Sequence, residues 1–206
     1  MSHELTRRAS LRALAGIAAT SLAGCATWIR YEDIGVGDLR GRCIVEWYRE
    51  DYFIYRKDRD NPLSFKPSFM TTPIVPDDMF TDGGSIPRML WGIPGLSPWG
   101  LGPAYVMHDW IFEMHRCHRP VPPEVAQITF EQSALILAEI GKALIDHGLV
   151  KDNLLEEIVW AVRTRYARDL WDQPGDATSC QPPALRALRA RAQPIRVIDF
   201  TIPPKR

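Results

Sequence analysis

No apolar run in this 206-residue chain approaches the roughly 20 residues that a membrane-spanning helix needs. The longest such stretch, 13–22, is short and rich in small residues, so a retained helical span is excluded as a reading. Charge of one sign is not in excess either, since 25 basic residues stand against 25 acidic ones. Without the N-terminal segment that carries Arg7, Arg8, Arg12 and Glu4, the balance shifts only to about −2, which gives a nucleic-acid partner no support. Low-complexity tracts and long blocks of like charge are absent, which excludes an extended charged tail. There are only four cysteines, Cys25, Cys43, Cys117 and Cys180, and their spacing matches no zinc pattern. No Gly-x-Ser-x-Gly elbow is present, so Ser85 is better read as a helix cap than as a nucleophile.

What is there is the composition of an ordinary globular protein, 46% hydrophobic and 24% charged, at a length that suits one core. The N-terminus has a different grammar. A basic stretch with Arg7, Arg8 and Arg12 precedes the apolar run, and Leu22-Ala23-Gly24-Cys25 follows it. That order predicts a cleaved signal peptide over 1–24. The Arg7-Arg8 pair, with Thr6 before and Leu11 after, resembles a twin-arginine export signal, although Ser10 stands where that signal usually has Phe. Leu-Ala-Gly-Cys resembles the lipobox of bacterial lipoproteins, which implies acylation of Cys25 and anchoring in membrane lipid by more than one chain. The location so implied is the bacterial cell envelope, at the periplasmic face of the outer membrane. Of the remaining cysteines any two of Cys43, Cys117 and Cys180 could pair, leaving one thiol.

Beyond a tether over 25–40, a single globular domain is expected over 41–206. Residues 43–48 and 52–55 are β-branched and aromatic around the polar Arg49-Glu50-Asp51, which predicts a hairpin. Further short strands are expected within 63–69 and 72–75, confined to edges by Pro62, Pro67, Pro73 and Pro76. Helices are expected over about 104–116, over 126–147 with Gly148 as C-cap, and after a cap at Asp152 or Asn153. In the third, Leu155, Ile158, Val159, Val162 and Tyr166 make the buried stripe. A short basic helix over 183–191 and a strand over 196–202 end the chain. The predicted class is α+β, a small N-terminal antiparallel sheet followed by a layer of about three helices.

Chemistry-bearing residues gather in two places. One is the Gly-rich turn Thr81-Asp82-Gly83-Gly84-Ser85-Ile86-Pro87-Arg88 and the other the helical pair His108-Asp109, with Trp91 between and Trp110 and Phe112 after. Together they resemble the phage- and prophage-associated domain of unknown function 1353, whose pattern joins a Thr-Asp turn with Ser-x-Pro, a Trp, and a helix bearing His-Asp. The likeness covers about residues 52–170. Members usually carry an Asp early in the next helix, for which Glu131 is the nearest candidate here.

Neighbouring helix residues point about 100° apart, so His108 and Asp109 cannot bond to each other as a dyad, yet both can face one site. The same arrangement is similar to secreted phospholipase A2. That likeness implies His108 as general base, and Asp82 and Asp109 with the backbone of Gly83, Gly84 and Ser85 as ligands of a divalent cation such as calcium. Ala104 and Tyr105 replace disulfide cysteines of that family, and Phe112 replaces a tyrosine.

Each group also has a structural use. Asp82 can close an Asx-turn, Ser85 can cap a helix, and Asp109 can pair with Arg88 or Arg163. His115-Arg116-Cys117-His118 has metal-ligand spacing but suits a helix end better. The aromatics Trp91, Trp99, Trp110, Phe112, Trp160 and Trp171 are expected in the core. Two functions therefore stand side by side: a His/Asp hydrolase acting on lipid or peptidoglycan, and a non-enzymatic lipoprotein that binds an envelope partner.

Overall fold

The computed structural model describes residues 28–48, 53–83, 99–151, 154–175, 180, 187 and 191–203. Its architecture is α+β, as the patterning predicts. A four-stranded antiparallel sheet has the order β5-β3-β2-β6, formed by β2 (Arg42–Trp47), β3 (Phe53–Arg56), β5 (Met79–Thr81) and β6 (Arg196–Thr201). A two-stranded sheet joins β1 (Asp38–Arg40) to β4 (Ser64–Lys66). The expected hairpin is β2–β3, with Trp47 opposite Phe53 and Val45 opposite Tyr55. Only Ser64–Lys66 of the expected 63–69 is a strand, and the second short segment contributes a single bridge, Phe65 to Ile74.

Side chains of β2 and β3 alternate with the pleat. Cys43, Val45 and Tyr55 face the main core, while Ile54 joins Tyr48 in a smaller cluster with Phe80 and Ala192. Against the main face lie the helices α1 (Gly102–Cys117), a single turn α2 (Pro123–Ala126), α3 (Phe130–Asp146), α4 (Leu155–Ala161) and α5 (Arg165–Asp172). Met107, Ile111, Ile136, Leu137 and Ile140 are fully buried where α1 meets α3. Phe112 meets Phe130 and Trp171 edge-on, so the end of α1 lies against the start of α3 and against α5.

Three expectations need correction. The helix expected over 126–147 begins at Phe130, because Thr129 accepts from the Gln132 N–H while the Gln132 side chain accepts from the Thr129 N–H. This capping box ends the preceding turn and starts a new helix. Thr129→Ala is expected to lower stability by about 1 kcal/mol, read as a shift in the urea midpoint. At the other end, the expected Gly148 cap is present. Gly148 has φ +67°, and the N–H groups of Gly148 and Leu149 return to the carbonyls of Ile145 and Leu144.

The third helix is two helices. The Thr164 hydroxyl donates to the Ala161 carbonyl, and α5 restarts in a new phase. Trp171 is therefore buried and Tyr166, expected inside, is 71% exposed. Lastly, the segment expected as a tether is folded from Trp28 onward. A 3-10 turn at Tyr31–Asp33 leads to buried Ile34, and Leu39 in β1 is also buried. Cys25 and the caps expected at 152 and 153 fall outside the described residues, as does nearly all of the helix expected over 183–191.

Candidate functional site at the junction of β5 and α1

Thr81 is the last residue of β5, paired across the sheet with Phe53, and its side chain is buried. A strand ending there delivers the threonine hydroxyl to the middle of α1. Thr81 Oγ1 donates to Asp109 Oδ2 at 2.5 Å and accepts from the Gly83 N–H at 3.1 Å. Gly83 has φ +74°, a conformation that costs glycine little and other residues more. Thr81 thus fastens the start of the turn; the backbone beyond Gly83, which an Asx-turn at Asp82 would use, lies outside the described residues. The hydroxyl thereby uses its one donor and one of its two acceptor positions.

Asp82 is exposed, while Asp109 is half-buried. Burial raises the Asp109 pKa well above its ordinary value, and the charges of Asp82 and Glu113 push it the same way, against the opposing bond from Thr81. One turn further along α1, Glu113 is pushed up to about 7, chiefly by burial, although it pairs with Arg119 at 3.4 Å. Arg119 in turn lies over the Trp110 ring, 5.2 Å from its centre.

His108 stands against Phe112, with ring centres 4.7 Å apart. Burial holds its pKa down to about 4, so the imidazole is neutral at neutral pH. Its Nε2 is sealed from solvent and has no hydrogen-bond partner among the described residues. His108 and Asp109 do not bond to each other, as the helix geometry requires.

The sequence-predicted residues divide accordingly. Asp82, Gly83 and Asp109 are brought to one junction, while the neighbouring His108 ring lies against Phe112, on the side of α1 that meets α3 and α5. Gly84, Ser85, Trp91 and Arg88 lie outside the described residues, and the caps and pairings expected of them lie there too. Glu131 is not at the junction. It is exposed and pairs with Arg168, whose guanidinium also covers the Phe130 ring. The reason is that the capping box starts α3 at Phe130, which places Glu131 in the first turn on the side facing α5.

The sequence reading missed two members. Thr81 was visible only as part of a turn. Glu113 stands four residues after Asp109, the spacing that puts two helix residues on one face, and that spacing was legible.

Among the described residues no three His, Cys, Asp or Glu side chains come together to hold a metal ion. Asp82 and Asp109 are near enough to repel, but two carboxylates fall well short of the six to eight oxygens calcium takes. The described donor set therefore does not build a calcium site. The second metal-like cluster is accounted for otherwise: Cys117 is bonded to Cys180, and His115 stacks on Trp171 with ring centres 3.9 Å apart. Among the described residues Cys43 is a free, buried cysteine, its thiol pushed up to about 12 by burial. Most of the aromatic stripe is core, as expected, with Trp110 and Trp171 buried and Trp99 packed on Phe53.

No family model, curated protein or solved structure matches this chain. The bond from Thr81 to Asp109 physically joins the Thr81-Asp82 and His108-Asp109 motifs.

Proposed function

We propose that this protein is a lipid-anchored envelope lipoprotein that hydrolyses an envelope substrate, a lipid or peptidoglycan bond, at the junction of β5 and α1. The observation that carries the reading is the buried Nε2 of His108, which has no hydrogen-bond partner among the described residues. An orphaned buried nitrogen costs about 1–3 kcal/mol, and leucine at that position would avoid the cost. Keeping an imidazole there makes sense if the nitrogen is used when substrate is present.

In this reading His108 Nε2, uncharged at neutral pH, accepts a proton from the attacking water. Asp109, whose pKa burial and its acidic neighbours raise, gives a proton to the leaving group. The two return to their starting states by passing the proton from imidazolium to carboxylate through solvent. Thr81 is a positioning residue that fixes the Asp109 rotamer. The disulfide between Cys117 and Cys180 supports an oxidising compartment outside the cytoplasm.

A second reading is favoured by the sealing of Nε2 itself. In it, Thr81 and Asp109 are only a clasp that holds β5 to α1, and the lipoprotein binds a partner without turning anything over. Purified protein assayed on phospholipid esters and on peptidoglycan, wild type beside His108→Leu, separates the two. The hydrolase reading expects a loss of about 100-fold or more in turnover with an unchanged or raised melting temperature. A wild type with no turnover on either substrate, or a variant as active as wild type, leaves the clasp.

A further inference from the structure

The segment that leads from the lipobox into the fold is strapped down, not loose. Trp28 donates its indole N–H to Glu156 Oε2 at 2.7 Å, and the Tyr31 N–H donates to Glu156 Oε1 at 2.7 Å. Lys142 Nζ donates to the carbonyls of Tyr31 and Ile34 at 3.2 and 2.8 Å, and lies 4.9 Å from the centre of the Tyr31 ring. Beyond Ile34 the backbone presses on Glu139, which is buried in α3 and accepts from both the N–H and the hydroxyl of Ser68. A Cβ on Gly35 or Gly37 would fall 2.4 or 2.8 Å from the Glu139 carboxylate oxygens, so both positions need glycine for the strap to lie this close. Residues 28–37 are thus fastened at several points to the last turns of α3 and the start of α4.

Only Ala26 and Thr27 separate Trp28 from Cys25, and three such steps span at most about 11 Å whatever the conformation. The polar zone on each side of a bilayer is itself only roughly 5–8 Å deep. We infer that the strap is a rigid membrane mount: with Cys25 acylated, the α3–α4 end of the domain rides directly on the bilayer, with the Trp28 indole in the headgroup zone. This inference rests on the lipid anchor of the proposed function.

Two further observations fit a lipid surface as the occupant. Trp28 is 50% exposed although its N–H is committed, leaving the ring face open, which suits an amphipathic side chain at an interface. Leu149, just past the end of α3, is 41% exposed. The charges around the strap are mostly acidic, with Glu32, Asp33, Asp146, Glu156 and Glu157 against Arg30, Lys142 and Lys151. The mount should therefore work through acyl chains and the indole, on an uncharged bilayer, without help from anionic lipid.

The test uses the full, acylated chain in phosphatidylcholine vesicles whose acyl chains carry bromine, a contact quencher of tryptophan. Quenching of the emission is expected in wild type, and its Trp28 component is expected to vanish in Trp28→Phe. A second variant keeps Trp28 and adds a Gly-Ser spacer of about 12 residues between Ala26 and Thr27, a reach of about 20 Å. It should remain acylated and bound, and lose the same component. Acylated, vesicle-bound protein whose quenching is unchanged by either variant, or absent from the start, overturns the mount and leaves the anchor standing. A Cys25 that carries no acyl mass overturns the anchor, and the mount with it.

Discussion

Reducing the bond between Cys117 and Cys180 is expected to lower the stability of the folded protein by about 4 kcal/mol, the chain-entropy value for a closed loop of 63 residues. The bond joins the end of α1 to the chain beyond α5, so the loop it closes holds α2, α3, α4 and α5. Its native surroundings are tight. The Gly175 N–H donates to the Arg116 carbonyl at 3.1 Å, and Arg116 Nε donates to the Gln173 carbonyl at 2.9 Å. A Cβ on Gly175 would lie 2.2 Å from the Cys180 sulfur, so Gly175→Ala should weaken the same region with the cysteines left in place. Urea unfolding with and without reductant, beside a Cys117→Ser/Cys180→Ser variant, measures the effect. Midpoints that coincide in all three samples would falsify the pairing.

The second large effect is one of pH. Glu113 holds its proton more tightly folded than unfolded, with a pKa of about 7 against an ordinary 4.5. The stability this contributes is fully present in acid and is lost as pH rises from about 4.5 through about 7, a change of about 3 kcal/mol. His108 works in the opposite sense. Its pKa of about 4 lies below the ordinary 6.5, so stability is lost as pH falls from about 6.5 through about 4. The two slopes oppose each other between about pH 4.5 and 6.5, and the raised Asp109 adds to the acid-favouring side.

Glu113→Gln removes one of these slopes. Relative to wild type, the variant should gain about 3 kcal/mol on going from pH 4 to pH 8. The attraction between ionised Glu113 and Arg119 is already contained in the pKa of about 7, so its loss is part of this change and not an addition to it. Denaturant midpoints taken at several pH values give the difference directly, and parallel curves for the two proteins would show that Glu113 titrates normally.

Much of the fold was legible because it follows local rules. The hairpin is written in alternating β-branched and aromatic residues around Arg49-Glu50-Asp51, and the end of α3 in a glycine that can take a positive φ. What periodicity could not show was where a helix stops and restarts in a new phase. Val162 and Tyr166 are four apart and suggest one stripe, yet the break before Thr164 turns Tyr166 to solvent and Trp171 inward. Thr129-Phe130-Glu131-Gln132 was a readable helix start, and missing it misplaced Glu131.

At the candidate site, residue types and spacing brought out Asp82, His108 and Asp109. They could not show that Thr81 is the hinge between them, because that depends on which strand end meets which helix. The burial of Glu139 was equally hidden. Nothing around it in sequence announces that a serine from 71 residues earlier will satisfy its carboxylate.

The sheet itself joins the two ends of the molecule. β2, among the first strands made, has β6 as one of its two neighbours, with Cys43 opposite Phe200 and Trp47 opposite Arg196. A growing chain therefore cannot complete this sheet until residues 196–201 have left the ribosome. Until then β2 keeps an open edge, and folding must wait for a contact between distant parts of the chain. Loss of β6 would leave the hairpin's inner strand as an unpaired, aggregation-prone edge.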